Sequence, residues 1–156
     1  MRWAVYFMAL IHGSDSDVTE DICRRFELSD PLKALFSGQR LAAEGSIFWF
    51  YQHPSPSNSE VYRRLMSFRT EALLFMMAAA EQDAAKQAIS GFITRLRHTQ
   101  PSVNGRDLIE LGLTPGPIFK EIIEQVRDAK LDGLVSSRDD ELALAATLAT
   151  QAMKSN

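Results

Sequence analysis

The sequence predicts an all-α fold, a compact bundle of about seven to nine short helices that ends in a helix-turn-helix hairpin. Three observations carry this. Apolar residues recur at helical spacing through most of the chain. Ser, Asp and Pro at helix starts alternate with Gly and Pro at helix stops. No stretch alternates apolar and polar residues for long enough to make a sheet. Ile47-Phe-Trp-Phe-Tyr51 could pass as a strand, but it is short and has no obvious partner. No repeat of fixed period is present.

The first helix is expected over residues 2–11. Trp3, Phe7, Leu10 and Ile11 fit the 3.6 period, and Val5, Tyr6 and Met8 make it apolar nearly all round, which predicts burial. It starts without a cap. An N-terminus this apolar points to an excised C-terminal piece, with Met1 marking its start. Asp15, Ser16 and Asp17 offer caps for a second helix over 18–26, buried through Val18, Ile22 and Phe26. Ser29-Asp30-Pro31 opens a third, with Pro at its first turn, carrying Leu32, Leu35, Phe36 and Leu41 towards Phe50. Gly38 and Gly45 weaken its middle. His53-Pro-Ser-Pro-Ser-Asn-Ser59 is the clearest linker, and Ser59 caps a helix over 60–66. Helices over 70–80 and 82–97 follow, and the last runs over 138–153, with Ser136 or Ser137 as cap and Asp139, Asp140 and Glu141 complementing its dipole.

Between them, residues 104–133 have a clear local grammar. A short helix over 107–111 stops at Gly112, the residue that enters the left-handed C′ conformation without a Cβ penalty. Thr114-Pro-Gly-Pro117 is a rigid turn, and Pro117 suits the first position of the next helix. That helix puts Ile118, Ile122 and Val126 on one stripe, with Phe119 and Ile123 beside it, and ends at Asp132-Gly133. Its uncluttered N-terminus can receive an anion through free N–H groups and the positive end of the dipole. Gly116 allows close backbone approach, and Lys120 lies one turn inside. A nucleic-acid phosphate is the natural candidate. The structural alternative is that the turn is only a tight connector between helices.

This stretch resembles the C-terminal region of the bacterial tRNA nucleotidyltransferase/poly(A) polymerase family, the class II CCA-adding and A-adding enzymes. Members carry a Gly-x-Asp-Leu-x-x-Leu-Gly-x-x-Pro-Gly-Pro segment, matched here by Gly105, Asp107, Leu108, Leu111, Gly112, Pro115, Gly116 and Pro117. An amphipathic helix follows, then an acidic segment like residues 131–141. The likeness is strong over the last third of the chain. The resemblance implies a parent enzyme that adds nucleotides to the tRNA 3′ end, using Mg and ATP or CTP in a catalytic head. It places the segment like residues 2–12 mid-protein, after that head.

Composition bounds the remaining readings. A chain of 156 residues suits one domain over 1–156. It also suits an N-terminal helical part over 1–54, continuing an upstream neck or body region, followed by a C-terminal body/tail part over 55–156. No run of ~20 apolar residues indicates a membrane span. The one cysteine, Cys23, is compatible with a reducing cytoplasm, so a cytoplasmic location is expected. The net charge of -3 does not advertise a nucleic-acid binder, so an RNA-binding face must be a local patch. Its candidate residues are Arg95, Arg97, Arg106, Gly116, Lys120, Arg127 and Lys130. Residues 95–130 hold six Lys/Arg against five Asp/Glu, so an ordinary solvated surface is the competing reading. Arg63, Arg64 and Arg69 form a second possible patch. The aromatic run Phe48 to Tyr51 is more often core than a base-stacking platform.

Catalytic and metal sites are expected to be absent, and with them any cofactor of the chain itself. Asp15 and Asp17 sit between helices with no strands around them, the setting of caps. His12, His53 and His98 lack ligand spacing, and a catalytic metal needs about three protein ligands. Cys23, although flanked by Arg24 and Arg25, has no organised His partner and is structural. The expected function is a C-terminal helical RNA-binding region that positions tRNA for a catalytic head absent from this chain. Its partners would be tRNA or other RNA and that head, with no membrane and an oligomeric state the sequence leaves open. The alternative is a helical protein–protein interaction or dimerisation module without RNA binding.

Overall fold

The computed structural model describes residues 2–154. Met1, read above as the start of an excised piece, lies outside them. Among the described residues there is no strand, and none of the helices is long and apolar enough to cross a membrane. The chain runs through α1 (Arg2–Leu10), α2 (Ser16–Arg25) and α3 (Asp30–Lys33), which passes through a π-helical stretch (Ala34–Gln39) straight into α4 (Arg40–Gln52). Then come α5 (Asn58–Leu65), α6 (Thr70–Ala79), α7 (Asp83–Thr94), a 3-10 turn (Leu96–His98), α8 (Gly105–Glu110), α9 (Pro117–Leu131) and α10 (Arg138–Lys154). With α3 and α4 counted as one rod, the described residues form nine α-helices, and the all-α expectation holds. Ile47 to Tyr51, the one possible strand, lies inside α4.

The helices form two compact units. Unit 1 takes the chain up to Pro56 together with Glu60–Thr94, and unit 2 takes Ser57–Ser59 together with everything from Arg95 on. Unit 1 is built on α6, whose segment Leu73-Leu-Phe-Met-Met77 is apolar nearly all round. Ala72, Leu73, Phe75 and Met76 are buried, and α6 packs on α1, α4 and α7. The expectation that α1 is equally buried fails. Ala4 and Met8 face the core, while Tyr6 is 75% and Leu10 80% exposed. With one helical neighbour, α6, as its main contact, α1 has only one face to bury.

The core of unit 1 also holds a charge. Arg40 is fully buried at the head of α4. Its backbone N–H reaches the Leu35 carbonyl, five residues back, which is the π register. Its Nε donates to the Phe36 carbonyl at 3.1 Å. The two Nη groups donate to Glu44 Oε1 (2.7 Å), the Ser14 carbonyl (2.8 Å) and Thr19 Oγ1 (2.9 Å). Glu44 in turn pairs with His12 Nδ1 at 2.9 Å and accepts from the Gly13 N–H at 3.4 Å. Arg40 and Glu44 thus fasten the α1–α2 loop to α4. Asp15 occupies the N-cap position of α2, but its side chain makes no capping bond; Thr19 donates to its carbonyl instead. Cys23 is buried, and Arg24 and Arg25 both pair with Asp21.

The end of α2 carries a testable strain. Glu27 N–H donates to the Arg24 carbonyl and Leu28 N–H to the Cys23 carbonyl, the paired bonds of a Schellman stop. Glu27 is therefore left-handed, with φ 49°, a conformation in which a Cβ crowds the following carbonyl. Glu27→Gly is expected to raise stability by about 0.5–1 kcal/mol in urea unfolding.

Candidate nucleic-acid interface

The second possible patch, Arg63, Arg64 and Arg69, falls in unit 1, whereas the seven candidates Arg95, Arg97, Arg106, Gly116, Lys120, Arg127 and Lys130 all fall in unit 2. Its core is Val103, Leu108, Leu113, Ile122, Val126, Ala145 and Ala149, with Ile118, Phe119 and Ile123 packed against it. These come from α8, α9, α10 and the segment leading into α8, so the hairpin rests on a common apolar base.

The hairpin is shaped by its own sequence. Asn104 Oδ1 accepts from the Arg106 N–H at 2.9 Å, and Asp107 Oδ2 accepts from the Asn104 N–H at 2.8 Å, a reciprocal cap on α8. At the other end Leu113 N–H donates to the Leu108 carbonyl and Gly112 N–H to the Ile109 carbonyl. Gly112 has φ 88°, as the C′ position demands, and Leu108 and Leu113 meet in the core beneath it. Gly112→Ala is expected to cost about 1–2 kcal/mol, since the added Cβ strains the left-handed backbone. The loss should appear as a lower urea midpoint. Gly105 lies close to the Phe119 ring, where an added Cβ would sit 3.6 Å from Cδ2. That contact sets the start of α8 against the first turn of α9.

The turn ends at Gly116, the extended N-cap residue of α9, and Pro117 follows at the first helical position. No side chain caps this helix and no acidic residue stands in its first turn. Thr114, Pro115, Gly116 and Pro117 are all exposed. Lys120 is 81% exposed and pairs only loosely with Glu124, at 3.9 Å. Arg106 is exposed next in sequence to Gly105, and Lys120 next to Phe119, so each of these cations adjoins one side of the Gly105-to-Phe119 contact. Arg127 lies two helical turns beyond Lys120, on the same stripe at 100° per residue, and is half-buried. Arg95 and Arg97 are exposed around the 3-10 turn.

Lys130 has another occupation. Its Nζ pairs with Glu141 Oε1 at 2.8 Å, and Glu141 is 1% exposed. Glu141, read from sequence as complementing the dipole of the last helix, turns inward. It accepts from the Ser102 and Val103 N–H groups as well, tying α9, α10 and the segment before α8 together. Burial alone would raise its carboxyl, but the bonds from Lys130, Ser102 and Val103 outweigh this and hold it below the ordinary glutamate range. The dipole role falls to Asp140. Its Oδ2 accepts from the Ser137 N–H at 2.9 Å while its own N–H donates to Ser137 Oγ, a cap that pushes its carboxyl down to about 2.

Three further contacts were not legible in the sequence. Arg138 donates to the Ser102 carbonyl and to Asp107 Oδ1, each at 2.7 Å. Ser59 donates through N–H and Oγ to the Asp132 carboxylate, so it serves the end of α9 and not, as expected, the helix that follows it. Asn58 Nδ2 donates to the Leu131 carbonyl at 2.8 Å. Each joins residues more than thirty apart in sequence, and no local pattern marks them. Among the described residues no cluster of three His, Cys, Asp or Glu side chains could hold a metal ion.

Comparison with known proteins gives two relatives of one kind. The chain is 29% identical over 154 residues to an A-adding tRNA nucleotidyltransferase of Geobacter sulfurreducens, a match covering 96% of the chain and 18% of that protein. It is 27% identical over 89 residues to an A-adding tRNA nucleotidyltransferase of Halalkalibacterium halodurans, covering 57% of the chain and 21% of that protein. The matches thus span about a fifth of each relative's length. No protein-family model matches, and no solved structure matches.

Proposed function

Because the chain is related to tRNA nucleotidyltransferases over nearly its whole length, we propose that it is an RNA-binding helical region of such an enzyme. In this reading it grips tRNA, or another RNA, in the cytoplasm. Nucleotide addition, with its Mg and ATP or CTP, belongs to a catalytic head of the parent protein outside these 156 residues.

The observation that carries the reading is the start of α9. An anion there would meet the Ile118 N–H (Pro117 has none, and the Phe119 N–H is taken by the Gly116 carbonyl), the positive end of a 15-residue helix, no competing carboxylate in the first turn, and the exposed Lys120 one turn inside, with the exposed Arg106 at the start of α8 as the second cation. Such contacts read phosphate and helical shape, so binding would be salt-dependent and largely blind to sequence. Arg95, Arg97 and Arg127 are the further candidate contacts in this reading. Lys130 contributes mainly by holding Glu141. The alternative, a protein–protein interaction module, draws on Ile109, Leu134 and Met153, which are half or more exposed.

The test is tRNA binding across a salt series. Lys120→Glu and Arg106→Glu are each expected to weaken binding and to reduce the slope of log affinity against log salt by about 1. No detectable binding at low salt, or binding unmoved by both changes, would sink the RNA reading and leave the interaction module. Measurable CCA or A addition by this chain alone would overturn the assignment of chemistry to a separate head.

A further inference from the structure

Unit 1 carries a planar ladder that the hairpin reading leaves unused. At the end of α4 the His53 ring lies parallel to Trp49, with centroids 4.3 Å apart and an interplanar angle of 12°. The Arg64 guanidinium, from α5, stands over the same indole with Cζ 4.9 Å from the ring centroid. Trp49 is half-buried, and the two groups set against its indole, His53 and Arg64, are exposed. The His53 ring is held in place: Nδ1–H donates to the Trp49 carbonyl at 2.9 Å, and the ring belongs to the residue that stops α4. No Asp or Glu lies between Glu44 and Glu60, so the Trp49–His53 side of the ladder carries no acid of its own, while Glu60 stands one turn before Arg64 on α5.

We propose that the outer face of His53 is a platform on which an unpaired base of single-stranded RNA stacks, continuing the His53–Trp49 stack. The inference rests on the reading of the chain as an RNA binder but uses residues remote in sequence from the α8–α9 hairpin. The geometry favours a flat π-ligand. Stacking rewards a rigid ring with a solvent-facing side, and the cation behind it polarises the stack towards an electron-rich partner. An aliphatic side chain would gain little from coplanarity. The guanidinium edge of Arg64, engaged on Trp49 only through its face, adds N–H donors for the accompanying phosphate.

The experiment is fluorescence anisotropy on the full chain with labelled single-stranded oligoadenylate and oligouridylate of about eight nucleotides, within the usual site size of such grooves. Oligoadenylate is expected to bind more tightly, because the purine face is larger. His53→Ala should weaken it by about 5- to 100-fold, the loss that follows removal of one base stack, and erase the preference. His53→Phe should preserve both. Arg64→Lys, which keeps the charge but not the plane, should weaken binding, while Phe48→Ala, an exposed aromatic outside the ladder, should leave it unchanged. A melting curve for each variant checks the fold. If neither oligonucleotide binds, or if His53→Ala changes melting but not affinity, the ladder is only an internal brace and the proposal is wrong. Lys120→Glu separates the two readings. Loss of tRNA binding in that variant beside an unaffected His53→Ala would remove the ladder alone, and the reverse pattern would remove the hairpin alone.

Discussion

Replacing Arg40 with alanine is expected to destabilise unit 1 by about 3–5 kcal/mol, the range for breaking a buried ion pair by removing one partner. The reason is the number of groups left behind. The Phe36 and Ser14 carbonyls and the Thr19 hydroxyl each lose a donor, and Glu44 loses its closest cation. Glu44 softens the loss, being partly open to water and still paired with His12. The cavity left by a long, fully buried side chain adds to it. Arg40→Met fills much of that volume and should recover part of the loss; Arg40→Lys should recover less than its charge suggests, because an ammonium cannot reach four acceptors with a planar fork's geometry. Both tryptophans, Trp3 and Trp49, lie in unit 1, so tryptophan fluorescence during urea unfolding reports this unit. An Arg40→Ala midpoint equal to that of the parent chain would show that the network contributes nothing net, as some buried ion pairs do.

The same residue shows where sequence reading stops. The helices were legible because their signals are local: Pro31 and Pro117 at helix starts, Gly112 at a stop, and apolar spacing within each segment. Nothing local to Arg40, on a helix weakened by Gly38, marks it for burial. Its burial depends on the π register of residues 34–39 and on carbonyl and hydroxyl groups from residues 14 and 19, brought close only by the fold. Glu141 misled in the same way. Three consecutive acids at a helix start point to the dipole, yet the third faces inward because it lies four and eight residues before Ala145 and Ala149, on the stripe of α10 that the core buries. The motif that carried the family resemblance proves to be largely about shape. Asp107 caps α8 and receives Arg138, Gly112 makes the stop, Leu108 fills the core, and Gly105 sits against Phe119. Gly116 and Pro117 shape the turn as well, Gly116 capping α9 with its carbonyl accepting from the Phe119 N–H, but they do so while exposed.

Glu141→Ala should be the comparable lesion in unit 2, at about 3 kcal/mol. Its carboxylate is almost wholly buried and gathers Lys130 with two backbone donors. Removing it leaves the buried Val103 N–H without an acceptor, whereas Lys130, partly exposed, can turn to water. The pH dependence follows from the direction of the shift. Because folding holds this carboxyl below its ordinary value, its contribution is fully present above about pH 4.5, the unfolded glutamate range, and drains away as pH falls through the lower folded value. The gap in stability between the parent chain and Glu141→Ala should therefore be widest at neutral pH and narrow progressively below about pH 4. Unit 2 has no tryptophan, so the direct measurement is amide hydrogen exchange at Val103 and through α8, which should accelerate in the variant while the amides of α6 keep their protection. A gap that stays constant from neutral to acid pH would mean that the charge on Glu141 is irrelevant and only its volume matters. In that case Glu141→Leu would be as stable as the parent chain, and Lys130 would be released to join the cations along α9.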